Sequence, residues 1–371
     1  MKIRCDREKL LAAFQTAAAV APTRSPKPIL QNVKMEVTDS GATLTATDLE
    51  IGVRVDVSGV ETEAPGEAIL HKTRFGSILT ESSDETLQIE SDGQGTVVKG
   101  AHSQFKLSSE NPQEFPPVAA FDEAKYFELP ARLFKEMIRR TTFATDSESS
   151  RYALGGVLLE FGEKKVIAVG TDGRRLAKME GPCMGVGDPQ VGDTMTIVPT
   201  KAMQLIERAL SDDDAEIQIA PRANDILVKS PRSTIYSRLV EGRFPKWQDV
   251  FPRWDAVVNI EFAAGPVLSA VKQAAIVTSE DSRGIDLTFG GGQMVLSSQT
   301  AELGQSRVEL PIAYDGEEVT IKLDPRYVSD FLRVLGADKN FSLQVKDAEN
   351  AALLTTEDGY GYVVMPLARD R

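Results

Sequence analysis

Runs that alternate polar and apolar residues fill most of this chain, and stretches with helical spacing interrupt them at intervals. Val33-Lys34-Met35-Glu36-Val37, then Ala42 to Ala46, then Ile51 to Val57 repeat with a period near two, which predicts strands with one buried face. Leu10, Leu11 and Phe14, with alanines after them, recur at helical spacing and predict a helix from Asp6 to Val20. Asp6 suits its N-cap and Pro22 stops it. A second helix is predicted from Lys72 to about Leu79, and strands at Thr86 to Glu90, Thr96 to Lys99 and Gln104 to Ser108. Asn111-Pro112-Gln113-Glu114-Phe115-Pro116-Pro117 then reads as a linker.

The same order of elements recurs twice. A helix from Leu129-Pro130-Ala131 to about Thr142 precedes strands at Gly156 to Glu160, Val166 to Gly170 and Leu176 to Met179. A helix through Leu205, Ile206 and Leu210 precedes strands at Glu216 to Ile219, Ile226 to Lys229 and Thr234 to Leu239. The third pass starts at Ile260, with helices at Pro266 to Ala275 and Pro325 to Leu335. Its strands are predicted at Ile285 to Thr288, Met294 to Ser297, Phe341 to Val345, Ala351 to Thr355 and Tyr360 to Met365. Thr73, Thr200 and Asp324 stand where the second helices need N-caps, at spacings of 127 (200 − 73) and 124 (324 − 200). Phe115-Pro116 returns as Phe244-Pro245, 129 residues on (244 − 115). The chain therefore reads as three copies of one α+β unit of about 120 residues, each a set of antiparallel strands covered on one face by two helices. The expected boundaries are 1–121, 126–250 and 254–371.

One stretch in the central copy stands out. Asp172-Gly173 lies between the apolar runs Val166 to Val169 and Leu176 to Met179, a hairpin signal, because glycine accepts the positive φ of a tight turn. Arg174 and Arg175 follow at the mouth of the hairpin. Thr47-Asp48 echoes Thr171-Asp172 at a distance of 124 (171 − 47).

Composition sets outer limits. The chain has 371 residues, 42% hydrophobic and 26% charged, an ordinary globular balance. Two cysteines, Cys5 and Cys183, make no disulfide framework and suit a reducing compartment. No signal peptide and no run near the ~20 apolar residues of a membrane helix is read, so a soluble cytoplasmic protein is expected. The net charge of −13 argues against a general nucleic-acid coat. It leaves room for a protein whose basic residues line one face while acids crowd another.

Catalytic patterns are missing. His71 and His102 show no shared metal pattern, and there is no phosphate loop, nucleophile elbow or Cys-x-x-Cys pair. Asp212-Asp213-Asp214 could hold a hard cation but reads first as a solvated turn. Asp48 and Asp172 fall at equivalent places in different copies. The balance leans toward a binding or scaffold protein.

Several stretches together resemble the bacterial DNA polymerase III beta subunit family, the sliding clamps. They are Pro28-Ile29-Leu30, Thr47-Asp48-Leu49-Glu50, Ser150-Arg151-Tyr152, Thr171 to Ala177, Gly242-Arg243-Phe244-Pro245 and Tyr362 to Leu367. The resemblance covers Met1 to about Leu367. It implies a head-to-tail homodimer closed as a ring around duplex DNA, helices lining the hole and sheets outside. It implies no catalytic activity, no cofactor and no metal. The implied partners are double-stranded DNA, the DNA polymerase III alpha subunit, a clamp-loader ATPase, and other polymerases and repair proteins with short binding motifs. Basic residues implied for the hole include Arg7, Lys9, Arg132, Lys135, Arg139, Arg140, Lys272, Lys72, Arg74, Lys201, Arg208, Arg326 and Arg333. Glu61, Glu63, Asp212 and Asp213 are expected outside.

By the same resemblance, the partner-peptide pocket comprises Arg151, Leu154, Thr171, Gly173, Arg174, Arg175, Leu176, Pro245, Val250, Tyr327, Val363, Val364, Met365, Pro366 and Leu367. Leu154, Leu176, Val250, Val364 and Met365 would make an apolar wall, and Arg175 would donate to the ligand. Arg24, Tyr152, Lys201, Arg283 and Arg139 would touch DNA. Phe105 and Leu107 would meet Ile276 and Val277 across the dimer join, flanked by Arg74 and Glu302. The chain departs from the family pattern at Trp247-Gln248, at Asp324 and in the extension Ala368 to Arg371, which puts the rim of the pocket in question. Two other readings stay open: a metal-dependent phosphodiesterase using Asp48, Asp172 and the Asp212 cluster, and a peptide-binding adaptor that does not encircle DNA.

Overall fold

Asp6 closes a first strand, Lys2–Asp6, and its carboxylate accepts from the Lys9 amide at 3.0 Å, so the first helix, α1 (Arg7–Ala18), begins where the sequence places it. The computed structural model describes residues 1–92, 95–146, 152–189, 195–252, 256–279 and 283–368. Its other helices are α2 (Lys72–Glu81), α3 (Ala131–Thr142), α4 (Thr200–Ala209), α5 (Ala264–Ala274) and α6 (Pro325–Leu335). Two helices fall in each of the three copies.

Contacts divide the chain into two units, Met1–Phe134 with Met184–Leu239, and Lys135–Cys183 with Val240–Arg371. The cut passes through the central copy because sheets run across the junctions between copies. In the first unit, Ser233–Arg238 pairs antiparallel with Ile51–Val57, joining strands of two copies into one nine-stranded sheet. A second sheet of this unit runs Val60–Ala64, Lys2–Asp6, Thr86–Ser91, Gly95–Lys99, Gln104–Ser108, with the last strand at an edge. In the second unit, Arg175–Pro182 pairs antiparallel with Tyr360–Val364, the same device at the next junction. Its other sheet runs Gly304–Pro311, Gln293–Thr300, Ile285–Gly290, Val319–Leu323.

Helices and sheets share apolar cores. α1 buries Leu10, Ala13, Phe14 and Ala17, one face at helical spacing, and Phe14 meets Phe75 of α2 with ring centroids 5.0 Å apart. Phe331 of α6 stacks on both Tyr360 and Tyr362 at 5.3 Å, since residues two apart on a strand face the same way. Each such ring contributes roughly 1.5–3 kcal/mol by leaving water.

Two expectations about local structure need correction. Thr73 and Thr200 are not N-caps: His71 caps α2, its Nδ1 accepting from the Thr73 and Arg74 amides at 3.2 and 3.4 Å. Pro199 precedes α4 without a side-chain bond. Only Asp324, accepting from the Arg326 amide at 2.9 Å, caps as expected. The strands Lys2–Asp6, Val60–Ala64, Gly66–His71, Tyr126–Pro130, Met184–Val186, Thr196–Pro199, Val258–Ala263, Gly304–Pro311 and Val319–Leu323 were not predicted, and Leu129-Pro130, expected to open a helix, end the fourth of these. They are short or half polar, and their pairing partners define them better than their own pattern does.

Candidate functional site

The Thr171 to Arg175 turn is built by its own side chains. The Thr171 hydroxyl donates to the Arg175 carbonyl at 2.7 Å and accepts from the Gly173 amide at 3.1 Å. Asp172 Oδ1 accepts from the Arg174 and Arg175 amides, both at 2.9 Å. Gly173 takes φ 85°, as the hairpin requires. The Thr47 to Ile51 turn repeats this bond for bond, with Thr47 Oγ1 to Ile51 O at 2.8 Å and Asp48 Oδ1 receiving the Glu50 and Ile51 amides at 3.1 and 2.7 Å. There, however, Leu49 holds the left-handed position, with φ 79°.

Each aspartate is also committed to a cation. Asp48 Oδ2 accepts from Lys201 Nζ at 2.5 Å, and Asp172 Oδ2 accepts from Arg175 Nε at 2.9 Å. Both carboxylates are thus held in ion pairs, and the two belong to different units. Among the described residues no cluster of three or more His, Cys, Asp or Glu could hold a metal. The phosphodiesterase reading loses its carboxylates on these grounds.

Arg175 corrects another expectation. Besides Asp172, its Nη1 donates to Asp330 Oδ2 and its Nη2 to the Phe143 carbonyl, both at 2.7 Å. Its guanidinium lies 4.5 Å from the Tyr327 ring centroid and 5.4 Å from that of Phe143. Burial opposes its charge, but Tyr362, Asp330 and Asp172 outweigh burial and hold its pKa above the ordinary arginine value. All three nitrogens are in use, so Arg175 is a strut of the wall and not a free donor. Arg174, beside it, is exposed.

The other proposed pocket residues separate into a buried floor and an accessible surface. Leu154, Thr171, Leu176, Val363 and Val364 are buried, Leu176 paired with Val363 and Arg175 with Val364 across the sheet. Of the five residues expected to make the apolar wall, only Val250 and Met365 are exposed, because strand pairing takes Leu176 and Val364 into the core. Gly173 and Pro245 are exposed, and Tyr327, Pro366 and Leu367 half-buried. The tail is tied at two points: Met365 N donates to Arg174 O at 2.9 Å and Leu367 N to Lys322 O at 2.8 Å. The Tyr362 hydroxyl donates to Tyr327 O at 3.0 Å. Trp247 is buried, its Nε1 donating to Glu160 Oε2 at 3.2 Å, so this half of the departure packs inward while Gln248 is exposed. Arg151 and residues 369–371 lie outside the described residues. Asp330 and Phe143 were missed; Asp330 alone left a signal, one helical turn after Tyr327.

Of the basic residues, Arg24, Arg74, Arg132, Arg139, Lys201, Arg208, Lys272, Arg283, Arg326 and Arg333 are exposed. Tyr152 opens the short 3-10 turn Tyr152–Leu154. Two others are internal struts. Arg7 donates to the Asp84 and Leu79 carbonyls at 2.9 and 3.1 Å. Arg140 is 2% exposed and bonded to Glu136 and Asp358. Lys72 is half-buried, its Nζ donating to Ala21 O at 2.6 Å. Burial, and then Lys201, lower its pKa. Phe105 on the edge strand of the first unit is 39% exposed and Leu107 half-buried; Ile276 is 75% exposed and Val277 half-buried, while Glu302 is exposed.

Each unit thus carries one turn locked by its own side chains, and in the second unit the C-terminal strand is hydrogen-bonded beside that turn, with Arg174, Val250 and Met365 exposed. Family models for the DNA polymerase III beta subunit match the chain in three successive parts, the N-terminal domain over residues 1–119, the central domain over 128–246 and the C-terminal domain over 248–368. The chain belongs to the DNA polymerase III beta subunit family and has its three-domain clamp fold. A beta sliding clamp of Pseudomonas putida is 31% identical over 371 residues, covering 99% of this chain and 100% of that protein. The Escherichia coli beta sliding clamp is 29% identical over 378 residues, with the same coverage. A crystal structure of the Pseudomonas aeruginosa DNA polymerase III subunit beta superposes with a TM-score of 0.91 at 28% identity over all of both chains. A Bacillus subtilis DNA polymerase sliding clamp gives 0.91 at 23%, a likeness of fold.

Proposed function

We infer that the chain is a DNA sliding clamp: two copies close head to tail as a ring around duplex DNA and tether the replicative polymerase and repair factors for processive synthesis. The observation that carries this is the triplicated α+β fold, matched to the family from end to end. The three clamp domains are assigned to 1–121, 126–250 and 254–371. The protein has no catalytic activity of its own, needs no cofactor and works in the cytoplasm. No helix among the described residues is long and apolar enough to cross a membrane. Its partners are a second copy, double-stranded DNA, the polymerase III alpha subunit, the clamp loader, and other polymerases and repair proteins with clamp-binding motifs.

The peptide pocket uses the surface around Gly173, Arg174, Pro245, Val250, Tyr327, Met365, Pro366 and Leu367, with Leu154, Thr171, Arg175, Leu176, Val363 and Val364 as its support, and Arg151 is assigned to it from the family pattern. A ligand Leu or Phe buried there contributes roughly 1.5–3 kcal/mol. Arg24, Arg139, Tyr152, Lys201 and Arg283 contact phosphates, which position the duplex without reading sequence. Phe105 and Leu107 meet Ile276 and Val277 across the join, with Arg74 and Glu302 at its flanks.

At −13 the chain repels DNA at long range, so retention is topological and direct affinity is small. A clamp loaded on nicked circular plasmid should survive a salt wash that strips ordinary DNA binders. It should leave within minutes once a restriction enzyme opens the circle. Equal retention on linear and circular DNA would mean direct binding and would sink the clamp reading.

A further inference from the structure

Asp330 on α6 stands between two cationic systems of the second unit. Its Oδ2 accepts from Arg175 Nη1 at 2.7 Å, and its Oδ1 accepts from Arg333 Nη1 at 3.1 Å. Arg175 belongs to the wall of the proposed peptide pocket, stacked 4.5 Å from the Tyr327 ring centroid. Arg333 belongs to a different place, a groove of about 440 Å³ between α5 and α6. Lys272, Arg326 and Arg333 line that groove together with Ser329, Asp330 and Ile276 of the proposed join, and since Arg326 is paired with Asp324, three cations stand against two carboxylates. This is a local excess of positive charge on a chain of net −13.

The two pairs made by Asp330 differ in strength. The Arg175 side chain is 11% exposed and that of Arg333 is 58% exposed. Water competes for the second pair, so Arg333 is the partner that gives way to another anion. Arg326 is anchored to Asp324 at 2.6 Å, yet its side chain is also 58% exposed and keeps donors for a ligand.

We propose that Asp330 couples this groove, whose cations would face DNA phosphates in the clamp reading, with positive sign to the peptide pocket. The proposal rests on the pocket and DNA readings given above and adds their regulation. A phosphate in the groove draws Arg333 off Asp330. The whole carboxylate charge then falls on Arg175, and the guanidinium is held more firmly against Tyr327 and Phe143. A peptide docked on that wall meets a surface already ordered, and it binds more tightly. By thermodynamic reciprocity the peptide raises affinity for the phosphate by the same factor. A clamp threaded on DNA thus presents a better pocket than a free one.

The full-length protein at low salt, a fluorescein-labelled short peptide with one Leu and one Phe anchor, and a short blunt duplex suffice for the test, read by anisotropy. Saturating duplex should tighten peptide binding about fivefold, the low end of usual coupling, because the Arg333 pair is solvent-screened. Arg333→Gln should bind peptide without duplex about as tightly as wild type does with it, and duplex should then add little. Asp330→Asn should weaken peptide binding and abolish the duplex effect, with an unchanged circular dichroism spectrum. Lys272→Gln should raise the duplex concentration needed and leave peptide binding alone unaffected. No duplex effect on wild type, or a full effect in Arg333→Gln, overturns the coupling while the pocket reading stands. Failure of wild type to bind peptide at all overturns the pocket reading, and the coupling falls with it.

Discussion

Leu49 occupies a left-handed backbone position at φ 79°, where the equivalent turn has Gly173. A side chain there costs about 1–2 kcal/mol through its clash with the following carbonyl. Leu49 is also 42% exposed, so little packing offsets that strain. Leu49→Gly should therefore raise stability by about 0.5–1 kcal/mol, the relief of strain less the extra entropy of an unfolded glycine. An unchanged or lower urea midpoint would contradict this. The converse change, Gly173→Ala, should cost about 1 kcal/mol through φ alone, since an added Cβ would meet nothing within 4 Å. The cysteines give a second residue-scale expectation. Burial pushes the Cys5 thiol up to about 12 and the Cys183 thiol up to about 11. Little thiolate exists at pH 8, so iodoacetamide should label neither in the native protein and both in urea. Mass spectrometry decides this.

Packing between elements makes its own demands on charged side chains. Arg140 of α3 lies 5.0 Å from the Tyr360 ring centroid, bonded to Glu136 and Asp358, and its Nε has no partner among the described residues. Removing Asp358 leaves a buried cation half compensated. Asp358→Asn should cost about 1–2 kcal/mol, less than for a fully buried pair because the Asp358 side chain is 50% exposed. The pH dependence follows from the same contacts. Burial opposes the charge on Asp358, but bonds from Thr356 and Arg140 outweigh burial and hold its pKa below the usual 3.8. A carboxyl depressed in the folded state stabilises above its unfolded pKa and loses that contribution as pH falls through its folded value. Wild type and Asp358→Asn should thus differ in urea midpoint at pH 7 and converge in strong acid. The C-terminal segment is the other element under test. Truncation after Val364 keeps the Tyr360–Val364 strand and removes the Met365 and Leu367 ties to Arg174 and Lys322. The truncated chain should melt as a folded protein and lose peptide affinity at least about tenfold, ~1.4 kcal/mol. Unchanged affinity would remove the tail from the pocket.

At the scale of the whole molecule, the proposed ring makes its demands on sheet edges. Gln104–Ser108 and Gly304–Pro311 each end a sheet, and unpaired edges bearing apolar side chains invite association. Phe105 and Ile276 stand near them at 39% and 75% exposure. Ser306 Oγ donates to Ala274 O at 2.8 Å, and Thr300 Oγ1 to Val277 O at 3.1 Å, so the Ala275–Val277 turn is fixed against its sheet. In a head-to-tail ring each contact occurs twice, and weakening one patch weakens both joins. Ile276→Asp with Val277→Asp should therefore yield a folded monomer. Sedimentation as a dimer at micromolar concentration would count against the join.

Sequence alone determined the three-fold repetition, the six α-helices of the described residues, most of their strands and the Thr171 to Arg175 turn. Each is written in neighbours: a period of two or 3.6, a capping Asp6, a glycine at the positive φ of the turn. Sequence did not determine which side chains remain accessible. Leu176 and Val363 face each other across a strand pair formed by residues 187 apart (363 − 176), and that pairing turns an expected wall into a floor. At the matching place in the first copy stands Gly52, where a Cβ would lie 2.6 Å from Val118 Cγ1. Nothing near Gly52 announces that neighbour. The same holds for Arg175 and Arg140, read as free cations until Asp330 and Asp358 come to meet them from far along the chain. Burial and charge pairing are set by contacts between distant segments. They have no local signature, and the tertiary structure alone decided them.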